Sequence, residues 1–136
     1  MVLSFEQAGD LLDTLAESFP EALFDGLNGG VNFQEEAVPD QEFPKGQVYI
    51  LGEYCDDLLG RYINLYYGSF AAMAENEDWT EEDWEQELRQ TLSHELTHHM
   101  EGRGGLHALE DRDEEELDAW REQFEREDRE RAGEAE

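Results

Sequence analysis

The chain has few basic residues. Nine Lys and Arg stand against 37 Asp and Glu, a formal net charge of −28 over 136 residues. Phosphate backbones and anionic membrane surfaces are held by patches of Lys and Arg, so neither nucleic acid nor a membrane is an expected partner. A single cysteine, Cys55, excludes an internal disulfide. Its neighbourhood, Gly52-Glu53-Tyr54-Cys55-Asp56-Asp57, offers no basic group to lower its pKa, so Cys55 reads as structural rather than nucleophilic. Long apolar runs are missing too, and Met1-Val2-Leu3-Ser4-Phe5-Glu6 lacks a basic leader segment. The expectation is a cytoplasmic chain without signal peptide or membrane span. Of only three prolines, two fall between positions 39 and 46, and that stretch reads as a loop.

What is present suffices for one modest core. Hydrophobic residues make up 38% and aromatic residues 11%, too many for a disordered chain. We expect one domain over residues 1–126 and a charged, frayed tail over 127–136. Residues 4–18 have helical spacing (Phe5, Ala8, Leu11, Leu12, Leu15) with Ser4 as a cap. Pro20 opens a second short helix over 21–27, and Asn28-Gly29-Gly30 makes a turn. Strands are expected at Val31–Phe33, Gln47–Gly52 and Arg61–Tyr67, with residues 56–60 turning the chain. Residues 69–74 extend the last strand or begin a loop.

A long helix follows from about residue 81 to 101, with Thr80 as N-cap and Asp83 three residues on. Trp84, Leu88, Leu92 and Leu96 recur every four residues and form its apolar stripe. Gly102-Arg103-Gly104-Gly105 ends it. A last helix over about 113–131 carries Leu117, Trp120 and Phe124 on one face. The order predicts an α+β fold: a short mixed sheet packed against the long helix, with helices at both ends of the chain.

Within the long helix stands His94-Glu95-Leu96-Thr97-His98. Residues four apart share a helix face, so both imidazoles can reach one metal ion while Glu95 sits beside them. Two nitrogen ligands plus a carboxylate that takes a proton from water is the requirement of a zinc hydrolase. At this chain's own His and Glu frequencies, roughly 0.02 such runs arise by chance. At about 100° per residue, His94 and His98 fall roughly 120° from the centre of the apolar stripe. His99 falls within the stripe and reads as a core residue.

A catalytic zinc site takes a third protein ligand. Glu101 lies on the same face as His94 and His98. His107 lies in the glycine-rich segment. Asp113, Glu114, Glu115 and Glu116 crowd the start of the last helix, where acids also serve the helix dipole. The residues alone leave these open.

Gly29-Gly30-Val31-Asn32, Tyr49-Ile50-Leu51-Gly52-Glu53-Tyr54, Leu59-Gly60-Arg61-Tyr62-Ile63, Tyr66-Tyr67-Gly68-Ser69-Phe70 and His94-Glu95-Leu96-Thr97-His98-His99 together resemble the small bacterial minimal zincin-like metallopeptidases. The resemblance spans roughly residues 20–120. It implies a single-domain zincin-like fold, a Zn2+ cofactor held by His94 and His98, and Glu95 as general base. In shorter members the motif runs on as H-E-x-x-H-H-x-G-x-x-D, and its last Asp is the third ligand. This chain has Glu101 in the place of that Gly and Gly104 in the place of that Asp, as if an insertion separated the motif from the final helix. With Leu117 aligned to the apolar residue that follows the Asp, the resemblance gives the third ligand as Glu114, or Asp113 with a shift of one.

The expected function is therefore a zinc metallopeptidase acting on a peptide or protein substrate. Strand Arg61–Tyr67 would be the edge to which a substrate adds, and Tyr66, Tyr67 or His107 would stabilise the oxyanion. The alternative is a non-catalytic zinc protein whose acidic surface serves as an interaction module.

Overall fold

The computed structural model describes residues 1–42 and 48–102. Among them, three α-helices and five short strands follow in the order α1 (Phe5–Glu17), β1 (Gly30–Gln34), β2 (Val38–Pro39), β3 (Tyr49–Ile50), β4 (Gly52–Asp57), β5 (Gly60–Tyr66), α2 (Tyr67–Glu77) and α3 (Glu81–Gly102). The fold is α+β, as the order of elements predicts. The final helix, the 127–136 tail, His107, Asp113 and Glu114 lie outside the described residues.

Helix α1 starts where its sequence asks. The Ser4 side chain accepts from the Gln7 amide at 3.1 Å, and the Gln7 side chain accepts from the Ser4 amide at 2.9 Å. This reciprocal box satisfies two amides that the first helical turn leaves without partners. Thr80 and Asp83 do the same for α3: Asp83 N–H donates to Thr80 Oγ1 at 3.2 Å and Thr80 N–H to Asp83 Oδ2 at 2.9 Å. Pro20 opens a single 3-10 turn, Glu21–Phe24, shorter than the helix expected there.

The main sheet has the order β1-β5-β4. β5 pairs parallel with β1 (Val31 opposite Ile63, Phe33 opposite Leu65) and antiparallel with β4 (Gly52 opposite Leu65, Tyr54 opposite Ile63). The sheet is mixed, and α3 lies over β4 and β5 with α1 beside it. The core closes between them. Trp84, Leu88, Leu92 and Leu96 of α3 are fully buried together with Ile63 and Leu65 of β5. Burying each such side chain is worth about 1.5–3 kcal/mol, so this stripe fixes the helix's rotation about its own axis. That rotation decides where the motif residues point.

Three expectations need correction. Residues 69–74 are neither strand nor loop; they belong to α2. Phe70 and Ala74, one helical turn apart, are both fully buried, so a helix gives this segment a core face that an extended chain would split. Strand 47–52 is displaced: Tyr49–Ile50 pairs with Val38–Pro39 in a separate two-stranded piece, and the sheet strand is Gly52–Asp57. Glu53, Asp56 and Asp57 hid it, since acids are poor strand formers; at a sheet edge their side chains are exposed and cost little. Finally, Pro39 joins β2 instead of a loop.

Candidate metal centre and its cavity

The four-residue stripe points Leu92 and Leu96 into the core and turns His94 and His98 outward. Both imidazoles are exposed. Their Nε2 atoms lie 3.1 Å apart with the rings nearly perpendicular, 88°. A tetrahedral zinc with nitrogens at 2.0–2.1 Å needs them roughly 3.3 Å apart. The two donors thus fit a shared ion with little adjustment. Among the described residues no group of three His, Cys, Asp or Glu is close enough to hold a metal. Glu101 lies in the same cavity but does not complete such a group.

Glu95 behaves differently from its neighbours. It is only 7% exposed and makes no hydrogen bond among the described residues. Burial pushes its carboxyl up, His94 and His98 pull it down, and Glu53 pushes it up. A carboxylate short of solvation is a better proton acceptor than one in bulk water.

Glu95 and His98 line a cavity of about 720 Å³ with Gly52, Glu53, Tyr54, Asp56 and Glu101. One wall is α3, the other is β4. β5, expected to be the edge next to the site, is the central strand with a partner on each side. The strand along the cavity is β4, which among the described residues is paired on one side only, by β5. The sequence missed it for the reason given above: its acids concealed a strand.

Close approach of β4 to α3 requires a glycine. A Cβ on Gly52 would meet Leu65 Cδ2 at 2.6 Å and Thr91 Cγ2 at 2.9 Å. Two residues on, Tyr54 spans the same gap and meets His99. His99 is fully buried, as its place in the stripe predicts. Its Nε2 lies 2.7 Å from the Asp25 carbonyl oxygen and its Nδ1 3.0 Å from Tyr54 Oη. A carbonyl can only accept, so Nε2 donates to it; in the neutral ring Nδ1 then accepts from Tyr54. This clamp ties the motif turn to β4 and to the loop before β1.

The tyrosines nominated for oxyanion stabilisation separate. Tyr67 Oη donates to the Leu3 carbonyl at 2.6 Å, and its ring packs on Phe5, Phe33 and Trp84, away from the cavity. Tyr66, buried at the end of β5, donates to Glu53. Burial and that bond push the Tyr66 phenol up to about 12. Cys55 is hydrogen-bonded with Tyr62. Burial pushes its thiol up, the Tyr62 bond pulls it down, and Glu53, Asp57 and Glu95 push it up. It stays a thiol, consistent with a structural reading.

This geometry is matched by a family. A model of the zincin-like metallopeptidases aligns with residues 51–122, which take in β4, β5, α2 and the whole of α3. The chain belongs to the zincin-like metallopeptidase family. Among solved structures it is similar to a conserved hypothetical protein from Thermus thermophilus, with 38% sequence identity and a TM-score of 0.64. The match covers 75% of this chain and 98% of that one. None of the curated proteins matches. Among the described residues of this zincin-like chain, no helix is long and apolar enough to cross a membrane.

Proposed function

We propose that this zincin-like protein is a zinc-dependent peptidase. The observation that carries the reading is Glu95. It is a buried carboxylate without a hydrogen-bond partner among the described residues, on the same helical turn as two exposed imidazoles, lining a cavity beside an edge strand. Its side chain opens on the cavity, where a water and a substrate carbonyl would meet it.

His94 and His98 would hold the ion, with Glu114 as the third ligand and Asp113 as its nearest competitor. When bound, zinc would lower the pKa of a coordinated water towards 7 and polarise the scissile carbonyl. Glu95 takes the proton from the attacking water and hands it to the leaving amine. β4 offers its outer edge to an extended peptide, which lays the substrate's backbone along the cavity. Tyr54 and His99 keep the motif turn and that strand at a fixed distance.

The test is metal content and turnover in the full-length protein. We expect close to one zinc per chain by elemental mass spectrometry, lost in His94→Ala. Glu95→Gln should retain zinc and lose peptide hydrolysis by at least about a hundredfold. Turnover that survives Glu95→Gln would overturn the mechanism. Zinc without turnover on any peptide would leave the acidic interaction module as the better description.

A further inference from the structure

A second hollow lies at the other edge of the sheet. It has a volume of about 550 Å³ and runs between α1 and β1. β1 and β4 are the two edges of the order β1-β5-β4, so this groove and the Glu95 cavity lie at opposite edges. One wall is Val31 and Phe33, on the sheet face that α1 covers. The other is Phe5, Gly9, Leu12 and Ala16, at steps of four, three and four residues. That is the spacing by which a helix offers a seam to a second helix. The face of α1 buried in the core is a different one, Ala8, Leu12 and Leu15, and only Leu12 belongs to both. The rest of the groove's apolar lining, Phe5, Ala16, Val31 and Phe33, is left half-buried. Among the described residues β1 pairs only with β5, so its outer edge also borders the groove unpaired.

Among the described residues nothing requires Gly9. Its φ is not positive. A Cβ there would meet nothing closer than Phe33 Cδ2 at 3.8 Å, an ordinary contact. The chain has room for alanine, which favours a helix far more than glycine does. What glycine gains is depth, where an outside group would enter the groove. Glu6 and Asp13, seven residues apart, flank the seam on its solvent side; both are exposed, and no Lys or Arg of the described residues lines the groove. In paired helices the residues flanking the seam choose the partner by charge. A second copy of α1 would bring acids against acids. A helix with Lys or Arg beside its apolar stripe would bring opposite charges together.

We propose that this groove is a docking site for an amphipathic helix of a basic partner protein. One bulky apolar side chain of that helix enters the hollow over Gly9, and its Lys or Arg residues meet Glu6 and Asp13. The site is independent of the peptidase reading. Because it lies at the opposite edge of the sheet, a docked partner leaves the metal cavity open.

The probes are capped helical peptides of Ala, Leu and Lys, about 18 residues or five turns long. They carry Trp, Phe, Leu or Ala at one central position of the apolar stripe, and a further peptide has Glu in place of every Lys. Each is titrated into isotope-labelled full-length protein at about 0.15 M NaCl, where long-range attraction is screened, with affinities from calorimetry. We expect amide shifts to concentrate at Gly9, Val31 and Phe33, and the Trp peptide to bind at least about tenfold more tightly than the Ala peptide. The Glu peptide should not bind. Gly9→Leu fills the hollow without changing charge and puts a better helix former in α1. It should weaken the Trp peptide by at least about tenfold without lowering the thermal midpoint. Ala16→Leu plugs the same groove from its other end and repeats the test. Glu6→Gln with Asp13→Asn should weaken every Lys peptide; Glu75→Gln with Glu85→Gln, the same charge change on α2 and α3, should not.

No binding by any Lys peptide overturns the proposal. So do equal affinities for the Trp and Ala peptides, shifts spread over every acidic face, or binding that both Gly9→Leu and Ala16→Leu leave unchanged. A dimer of this chain in sedimentation, dissolved by Gly9→Leu, also overturns it and gives the groove to a second copy.

Discussion

Gly52 decides how near β4 comes to the motif helix. Leu65 and Thr91 occupy the space a side chain would need, and the Asn64 carbonyl is 3.1 Å from the same point. Both side chains have limited room in the core, so Gly52→Ala must push strand and helix apart. We expect a loss of about 1–3 kcal/mol, the usual cost of overpacking, read as a lower urea midpoint. An unchanged midpoint would mean that the gap adapts freely. At this scale the sequence was legible where chemistry follows helical periodicity: His94 and His98 on one exposed face, His99 in the core. It was illegible for Gly52 and Tyr54. Their role comes from the approach of a strand to a helix nearly forty residues later, and no local pattern reports such an approach. Tyr66 and Tyr67 illustrate the same limit. They are adjacent in sequence, yet strand gives way to helix between them, and they face different surroundings.

Elements were legible where they carry their own boundary signals. α3 begins at a capping box written in Thr80 and Asp83, and α1 at one written in Ser4 and Gln7. Thr80→Ala should cost about 1 kcal/mol, seen as a lower thermal midpoint and faster amide exchange at Asp83. No change in either would mean that the box is idle in solution. α2 lacks such a signal. No side chain caps it, and its N-terminal neighbour, Tyr66, is the last residue of β5. It is recognisable only after the core has claimed Phe70 and Ala74. Its end is clearer: Asp78 takes φ 54°, a left-handed exit that Asp tolerates better than most residues. β4 was misplaced because its propensity argues against strand while its position at the edge permits it.

Across the whole molecule the charge imbalance sets a condition on stability. With 37 acids and nine bases, like charges repel over distances that dilute buffer does not screen. The Debye length falls from about 30 Å at 0.01 M to about 8 Å at 0.15 M salt. Raising NaCl across that range should lift the thermal midpoint by at least about 2 °C, as folded-state repulsion is screened. A flat or falling midpoint would mean that specific ion pairs outweigh the general repulsion. Fold class and the mixed sheet were legible at this scale, because the order of apolar patterns constrains how layers stack.

The parallel pairing of β1 with β5 has a consequence for how the chain is made. Gly30 waits for Tyr62, its partner in register. At about 5–20 residues per second, the ribosome delivers that partner roughly 2–6 seconds later. The β4–β5 hairpin can close as soon as it emerges, but β1 arrives first with nothing to pair with. In the finished molecule, Phe5 of α1 stacks on Phe33 of β1 at 5.4 Å. Those two segments leave the ribosome one after the other. The ring pair gives the nascent amino-terminal segment a way to shelter its apolar side until the centre of the sheet has been synthesised.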